Sequence, residues 1–237
     1  MKMKNKKAVQ EAARKERKQQ LLEDKARRRG EPNLSRREPE KMPNPTILIV
    51  CEGKNTEPSY FRQFRLTSAT IKSVGEGYNT VSLVNRAIQI SQEKEYDQVW
   101  CVFDKDDFDA NDFNNAIVMA EANGFGVAYS NQAFEYWFIL HFEDHQGAGM
   151  HRKDYDQKIN QHLNPFGVTY HGNGDKLVNT EMFELLDGID DQTQIERKQL
   201  AITRARRNFD RLEHHSPANE ESSTTVFKLV EELLKYI

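Results

Sequence analysis

The sequence predicts an α/β fold: a mostly parallel sheet flanked by helices, extended by a helical C-terminal part. Two observations carry this. Short apolar runs, ILIVC from Ile47 and VWCVF from Val99, recur with helix-patterned segments of about 10–15 residues between them, the signature of right-handed βαβ units. Both runs also stop abruptly in acid, at Glu52 in the first and at DKDD, beginning with Asp104, in the second. In a parallel sheet ligands bind outside the carboxyl ends of the strands, so both acidic stretches fall where a site belongs.

The chain of 237 residues is long enough for one good core and short for two large domains. Three segments are expected: a basic arm and Pro-rich linker over 1–45, an α/β core over 46–145, and a mainly helical part over 146–237 packed on it. Charge marks the first boundary. Through Lys41 there are 15 Lys/Arg against 7 Asp/Glu, a balance of +8, and the remainder carries 19 against 30, or −11. Cys51 and Cys101 lie inside predicted strands without metal-ligand spacing and read as small buried hydrophobes in a reducing compartment. No apolar run approaches the roughly 18 residues of a membrane span, and MKMKNKK is followed by polar residues, so a cytoplasmic protein without a membrane partner is expected.

In chain order, the arm mixes helix formers and cations with few apolar residues; it is a solvated tail, or it docks on nucleic acid or an acidic partner. EPNLSRREPEKMPNP is a linker whose prolines hold the backbone extended. After the strand at Ile47, Thr56 can cap a helix beginning near Pro58. A short strand is expected around Ile71 to Val74, a turn at GEGYN, and an amphipathic helix from Thr80 to about Lys94. Val99 to Phe103 supplies the third strand, Phe113 to Asn123 a helix closed by Gly124, and GVAYS the fourth strand. AFEYWFILHF reads as a heavily buried helix. Ile202, Ala205, Phe209 and Leu212 mark one face of a long helix, on which Arg197, Arg204 and Arg211 recur every seven residues. That stripe is either a phosphate-tracking surface or a solvated face. Val226, Leu229, Val230, Leu233, Leu234 and Ile237 form the apolar stripe of a last, docked helix.

Side chains two apart on a strand point the same way, so Asp104 and Asp106 project together if the strand continues through them. With Glu52 they form a set of hard oxygen donors suited to Mg²⁺ or Mn²⁺, which would hold the carboxylates ionised, polarise a phosphate and activate water. The competing reading is an acidic turn that caps the next helix. Lys54 lies in a sequence that lacks the glycine and the Ser/Thr of a phosphate-binding loop, and the seven histidines show no HExxH, so ATP hydrolysis and zincin chemistry are excluded.

Taken together, ILIVCEGKNTEPSYF, VFDKDDF, SNQAFEYWFILHF and NEESSTTVFKLVEELL, in that order, resemble the RloB-like family, also described as AbiLii-like abortive-infection proteins. The resemblance covers most of the chain after about Pro45. It implies a Toprim-like domain, in which a glutamate after the first strand and a DxD after the third bind Mg²⁺. That pattern falls on Glu52, Asp104 and Asp106, with Glu57 and Asp107 nearby. It further implies a nuclease effector of phage defence, cutting DNA or RNA beside an ABC-type ATPase partner, and assembly that can include a homo-oligomer. A non-catalytic subunit binding nucleic acid or that ATPase is the alternative. A Lys or Glu outside the core motif often completes such sites, and Glu135, His141 and Lys176 are the candidates. Glu135 and His141, six residues apart, cannot share a helix face, and Glu135 is preferred because a glutamate among aromatics needs a partner. Lys54, Lys105 and Lys176 are candidates to steady a phosphate.

Overall fold

The computed structural model describes residues 3–28, 44–73, 80–106, 109–172 and 174–237. They divide between two units, Met1–Pro43 and Asn44–Ile237. The first contains a helix, α1 (Met3–Arg28), whose described side chains are all exposed, Val9, Leu21 and Leu22 included. So few apolar positions make no stripe that could bury itself.

The second unit runs β1 (Ile47–Cys51), α2 (Thr56–Arg62), β2 (Ala69–Ser73), α3 (Thr80–Glu93), β3 (Gln98–Asp104), α4 (Ala110–Ala122) and β4 (Gly126–Asn131). It continues through α5 (Glu135–Phe142), α6 (Tyr155–Leu163), α7 (Thr180–Asp187), α8 (Arg197–Asp210), β5 (Ser223–Thr224) and α9 (Val226–Leu234). The sheet order is β2-β1-β3-β4-β5, with the first four strands parallel and β5 antiparallel to β4. Strand periodicity splits the core between the faces. Ile47, Ile49, Cys51 and Val102 pack into the layer that contains α2, α5, α8 and α9, while Leu48, Val50, Cys101 and Phe103 pack against α3 and α4. Every residue of β1 is buried, which explains its unbroken apolar run. Both cysteines are free, and burial pushes the Cys101 thiol up to about 12, so they act as core hydrophobes.

Two local expectations need correction. Thr56 does not cap α2: Asn55 holds the cap position without a side-chain hydrogen bond, and Thr56 Oγ1 lies 3.2 Å from the Tyr170 hydroxyl. Strand β3 ends at Asp104, and Asp106 sits at φ 41°, so the two aspartates are not alternate residues of one strand. The C-terminal part carries α6 to α9 and, within NEESSTT, also returns to the sheet as β5. There the Thr225 amide donates to the Tyr129 carbonyl at 2.8 Å, and the Tyr129 amide donates to Thr225 Oγ1 at 2.9 Å. The acidic turn does cap α4, since Asp109 accepts from the Asn111 amide at 2.7 Å. The predicted turn at 75–79, Asp107, and all of the linker except Asn44 and Pro45 lie outside the described residues.

Helix α5 is buried on all sides, with Tyr136, Trp137, Phe138, Ile139 and Leu140 fully covered. Its tie to α2 is polar as well as apolar: Trp137 Nε1 donates to the Tyr60 hydroxyl at 2.9 Å, and Tyr60 packs edge-on against Phe61, Phe64 and Phe134. Trp137→Phe and Tyr60→Phe should each destabilise the fold, with the double variant costing about 1 kcal/mol less than the sum of the singles in denaturant unfolding. Strict additivity would show that the Trp137–Tyr60 bond contributes nothing.

Candidate active site

Strand order reverses about β1, with β2 on one side and β3 on the other, so the crevice between the carboxyl ends of β1 and β3 is the switch point where open α/β sheets bind ligands. Glu52 follows β1 and Asp104 ends β3. The Glu52 amide extends the ladder to the Val102 carbonyl at 2.9 Å, and its Oε2 accepts from the Asp104 amide at 3.3 Å. Glu57 reaches the same crevice from the first turn of α2, where its Oε1 accepts from the Gly53 amide at 3.3 Å. The absence of a side chain at Gly53 leaves room for this contact, since a Cβ would stand 2.3 Å from Glu57 Oε2 and push the carboxylate aside.

These carboxylates feel one another. Burial pushes Glu52 up to about 7, with Asp106 and Glu57 adding repulsion and the Asp104 amide opposing the shift. Burial also pushes Glu57 up to about 7, with Glu135 and Asp106 adding to it and its own and the Gly53 amides opposing. Asp104 is raised well above the carboxylate range by burial first and then by Glu57, Asp106, Glu135 and Glu52. Its Oδ1 is buried without a hydrogen-bond partner among the described residues. Two features fit a hard divalent cation: buried oxygen donors that repel, and an orphaned carboxylate oxygen. Spacing stops short of this. Among the described residues no three His, Cys, Asp or Glu side chains are grouped to hold one ion. Asp106 is engaged elsewhere: its carboxylate pairs with Arg152, and its amide donates to the Gln132 carbonyl at 3.0 Å.

Arg152 leads into a cavity of about 380 Å³ lined by Glu135, Arg152, Lys153, Tyr155, Asp156 and Lys176, among others. Lys176, at φ 55°, therefore stands at a wall of the site. Glu135 begins α5 and accepts from the Tyr170 hydroxyl at 2.7 Å. His141 lies elsewhere, fully buried, with Nδ1 2.9 Å from the Trp137 carbonyl and burial pushing it down to about 3. Lys54 is exposed, and Lys105 Nζ lies 3.4 Å from the Asp106 carbonyl.

The arginine stripe does not form one surface. Arg197 is 7 % exposed, donates to the Leu185 carbonyl at 3.0 Å and stacks on Phe142 and Phe166. Arg204 donates to the Leu140 carbonyl at 2.8 Å, which leaves Arg211 exposed beyond the end of α8. Sequence reasoning missed Arg152, Lys153, Gln132 and Tyr170, which lie in stretches without periodicity. The only signal was a cluster of charge, HRKD at 151–154, following the aromatic helix.

No curated protein and no solved structure matches the chain. Among the described residues no helix is long and apolar enough to cross a membrane. A family model described as RloB-like protein matches residues 47–233, which takes in β1, the switch-point carboxylates, the cationic cavity and most of α9. The chain belongs to the RloB-like family, a family associated with defence.

Proposed function

We propose that the switch-point crevice is the active site of a Mg²⁺- or Mn²⁺-dependent nuclease that hydrolyses phosphodiester bonds in DNA or RNA as a defence effector. The observation that carries this reading is the juxtaposition of buried, mutually repelling carboxylates with a cavity walled by Arg152, Lys153 and Lys176. A polyanionic substrate and a cation need such neighbours: acids to hold the ion, bases to hold the phosphate. Glu52, Asp104 and Asp106 would hold the ion, which supplies charge neutralisation and a more acidic water. Glu57 braces the turn after β1 through the Gly53 amide. Glu135, fixed by Tyr170, closes the crevice opposite, and Lys105 and Lys176 flank the path of a phosphate. The Toprim resemblance supports the same assignment.

The exposed basic helix α1 favours a second role for this chain, docking on nucleic acid or on an ABC-type ATPase partner. A chain lacking residues 1–43 should keep its intrinsic cleavage and lose retention by that ATPase or by nucleic acid in pull-down. Unchanged retention would remove the arm from the proposal.

Cleavage of labelled single-stranded DNA, duplex DNA and tRNA by the full chain should require Mg²⁺ or Mn²⁺. Glu52→Gln and Asp104→Asn should each lower it by about 100-fold or more, the size expected when charge stabilisation is removed from an active site. If neither variant differs from the parent, or no substrate is cut with the ATPase present, the nuclease reading fails.

The carboxylates also set a pH dependence. Glu52 and Glu57 rise from 4.5 to about 7 on folding. Between those values the folded state binds more protons than the unfolded chain, so their contribution to stability is full below about 4.5 and is lost as pH rises through about 7. In chelator, Glu57→Gln should therefore raise the melting temperature relative to the parent by about 5 °C at pH 8 and by almost nothing at pH 4.5. Saturating Mn²⁺ should stabilise the parent at pH 8 and not at pH 4.5. A parent indifferent to Mn²⁺ at pH 8 would contradict the cation site.

A further inference from the structure

Arg152 belongs to two places at once. It lines the 380 Å³ cavity, and its Nη1 holds Asp106 Oδ1. Its backbone is fixed independently of that pair: the Arg152 amide donates to Gln132 Oε1 at 2.9 Å, while the Gln132 carbonyl accepts the Asp106 amide at 3.0 Å. The side chain can therefore change partner without moving either backbone. The guanidinium spans a planar fork of five donors, and a phosphate can take two of them in parallel where Asp106 takes one.

The rest of the wall favours an anion. Lys153, Lys176 and His151 stand around the cavity with Arg152, and among the described residues neither lysine forms an ion pair. The two acids in the wall already have donors. Glu135 accepts from Tyr170, and Asp156 accepts from the Gly172 amide at 3.0 Å and from Asn160 Nδ2 at 3.3 Å. A space of about 380 Å³ falls in the usual range for small-ligand pockets.

We propose that this cavity is a phosphate subsite whose occupant draws Arg152 from Asp106, opening Asp106 to the cation, so that phosphate and metal bind with mutual reinforcement. The inference rests on the reading of Glu52, Asp104 and Asp106 as a cation site. It accounts for the disagreement between donor chemistry and spacing there. Arg152 pairs with Asp106, and in that pairing the ion's third donor is withheld. Release of Asp106 alone would leave its carboxylate facing Glu52, Glu57 and Asp104 without a counter-charge, so it is favourable only when a cation arrives as the phosphate does.

The test is calorimetry on the full chain stripped of metal, with Mn²⁺ and thymidine 5′-monophosphate as probes and the Mn²⁺–nucleotide blank subtracted. Saturating nucleotide should tighten Mn²⁺ binding by about tenfold, a typical coupling between linked sites. Arg152→Gln keeps its backbone contact with Gln132 and should bind Mn²⁺ about tenfold more tightly than the parent without nucleotide, with no further tightening when nucleotide is added. Lys176→Gln should weaken nucleotide binding several-fold and leave the Mn²⁺ affinity measured alone unchanged. Equal Mn²⁺ affinity in the parent and Arg152→Gln, or nucleotide tightening that persists in Arg152→Gln because the metal merely bridges to the phosphate, overturns this inference and leaves the cation site standing. No Mn²⁺ uptake by either protein overturns the cation site and the inference with it.

Discussion

Repulsion between carboxylates brought to adjacent strand ends is the constraint around which this structure is built. Parallel pairing of β1 with β3, in the register Cys51 to Val102, carries Glu52 and Asp104 to one sheet edge. Helix α2 adds Glu57, 5 % exposed. In water such a group would be cheap; buried, each ionised carboxylate weakens its neighbours. The fold tolerates the cluster with backbone donors, the Gly53 amide on Glu57 and the Asp104 amide on Glu52, and with the Arg152 guanidinium on Asp106. Among the described residues Asp104 Oδ1 has no hydrogen-bond partner.

What makes the arrangement sustainable is the rigidity of the layer beneath it. Tyr60, Phe61, Phe64, Phe134 and Phe138 interlock mostly edge to face between α2 and α5, and Trp137 ties the two helices with a buried hydrogen bond. Tyr170 spans the same helices at the crevice, placing its hydroxyl against Thr56 and donating to Glu135. Because each helix donates one acid to the site, relaxation of the repulsion by spreading α2 from α5 would break this packing. The aromatic core therefore fixes the distance between the two helices that carry these acids.

Much of this was legible in the sequence, for a definite reason. Strands β1 and β3 are buried on both faces, so they announce themselves as unbroken apolar runs, and the acids that end them are read directly. Helices α3, α4 and α8 carry local periodicity. The features that stayed hidden depend on contacts far apart in sequence. Asp106 leaves the strand direction because its amide meets Gln132 and its carboxylate meets Arg152, 46 residues on. Strand β5 has two residues and no pattern of its own, existing only through Thr224 and Thr225 on β4. The arginines of α8 look like a surface stripe because a seven-residue spacing says which face they share and nothing about what that face meets. Arg197 and Arg204 meet the carbonyls of Leu185 and Leu140, while aromatic rings cover the Arg197 guanidinium.

The placement of charge separates support from chemistry within one basic inventory. Arg197 and Arg204 reach main-chain carbonyls on the scaffold, and Arg206 and Arg207 pair with Glu231 and Asp144 on its surface, so these four have their partners in the folded chain itself. Lys153 and Lys176 line a concave wall next to an acidic crevice and among the described residues form no ion pair, and Arg152 has a partner that belongs to the crevice. A cation held by a carboxylate that is itself crowded by other carboxylates is held the more firmly, because the acid it leaves gains repulsion unless another cation replaces it. The Arg152–Asp106 pair thus joins the acidic crevice to the cationic wall, and the junction follows from the left-handed turn at Asp106 that the strand alone would not have made.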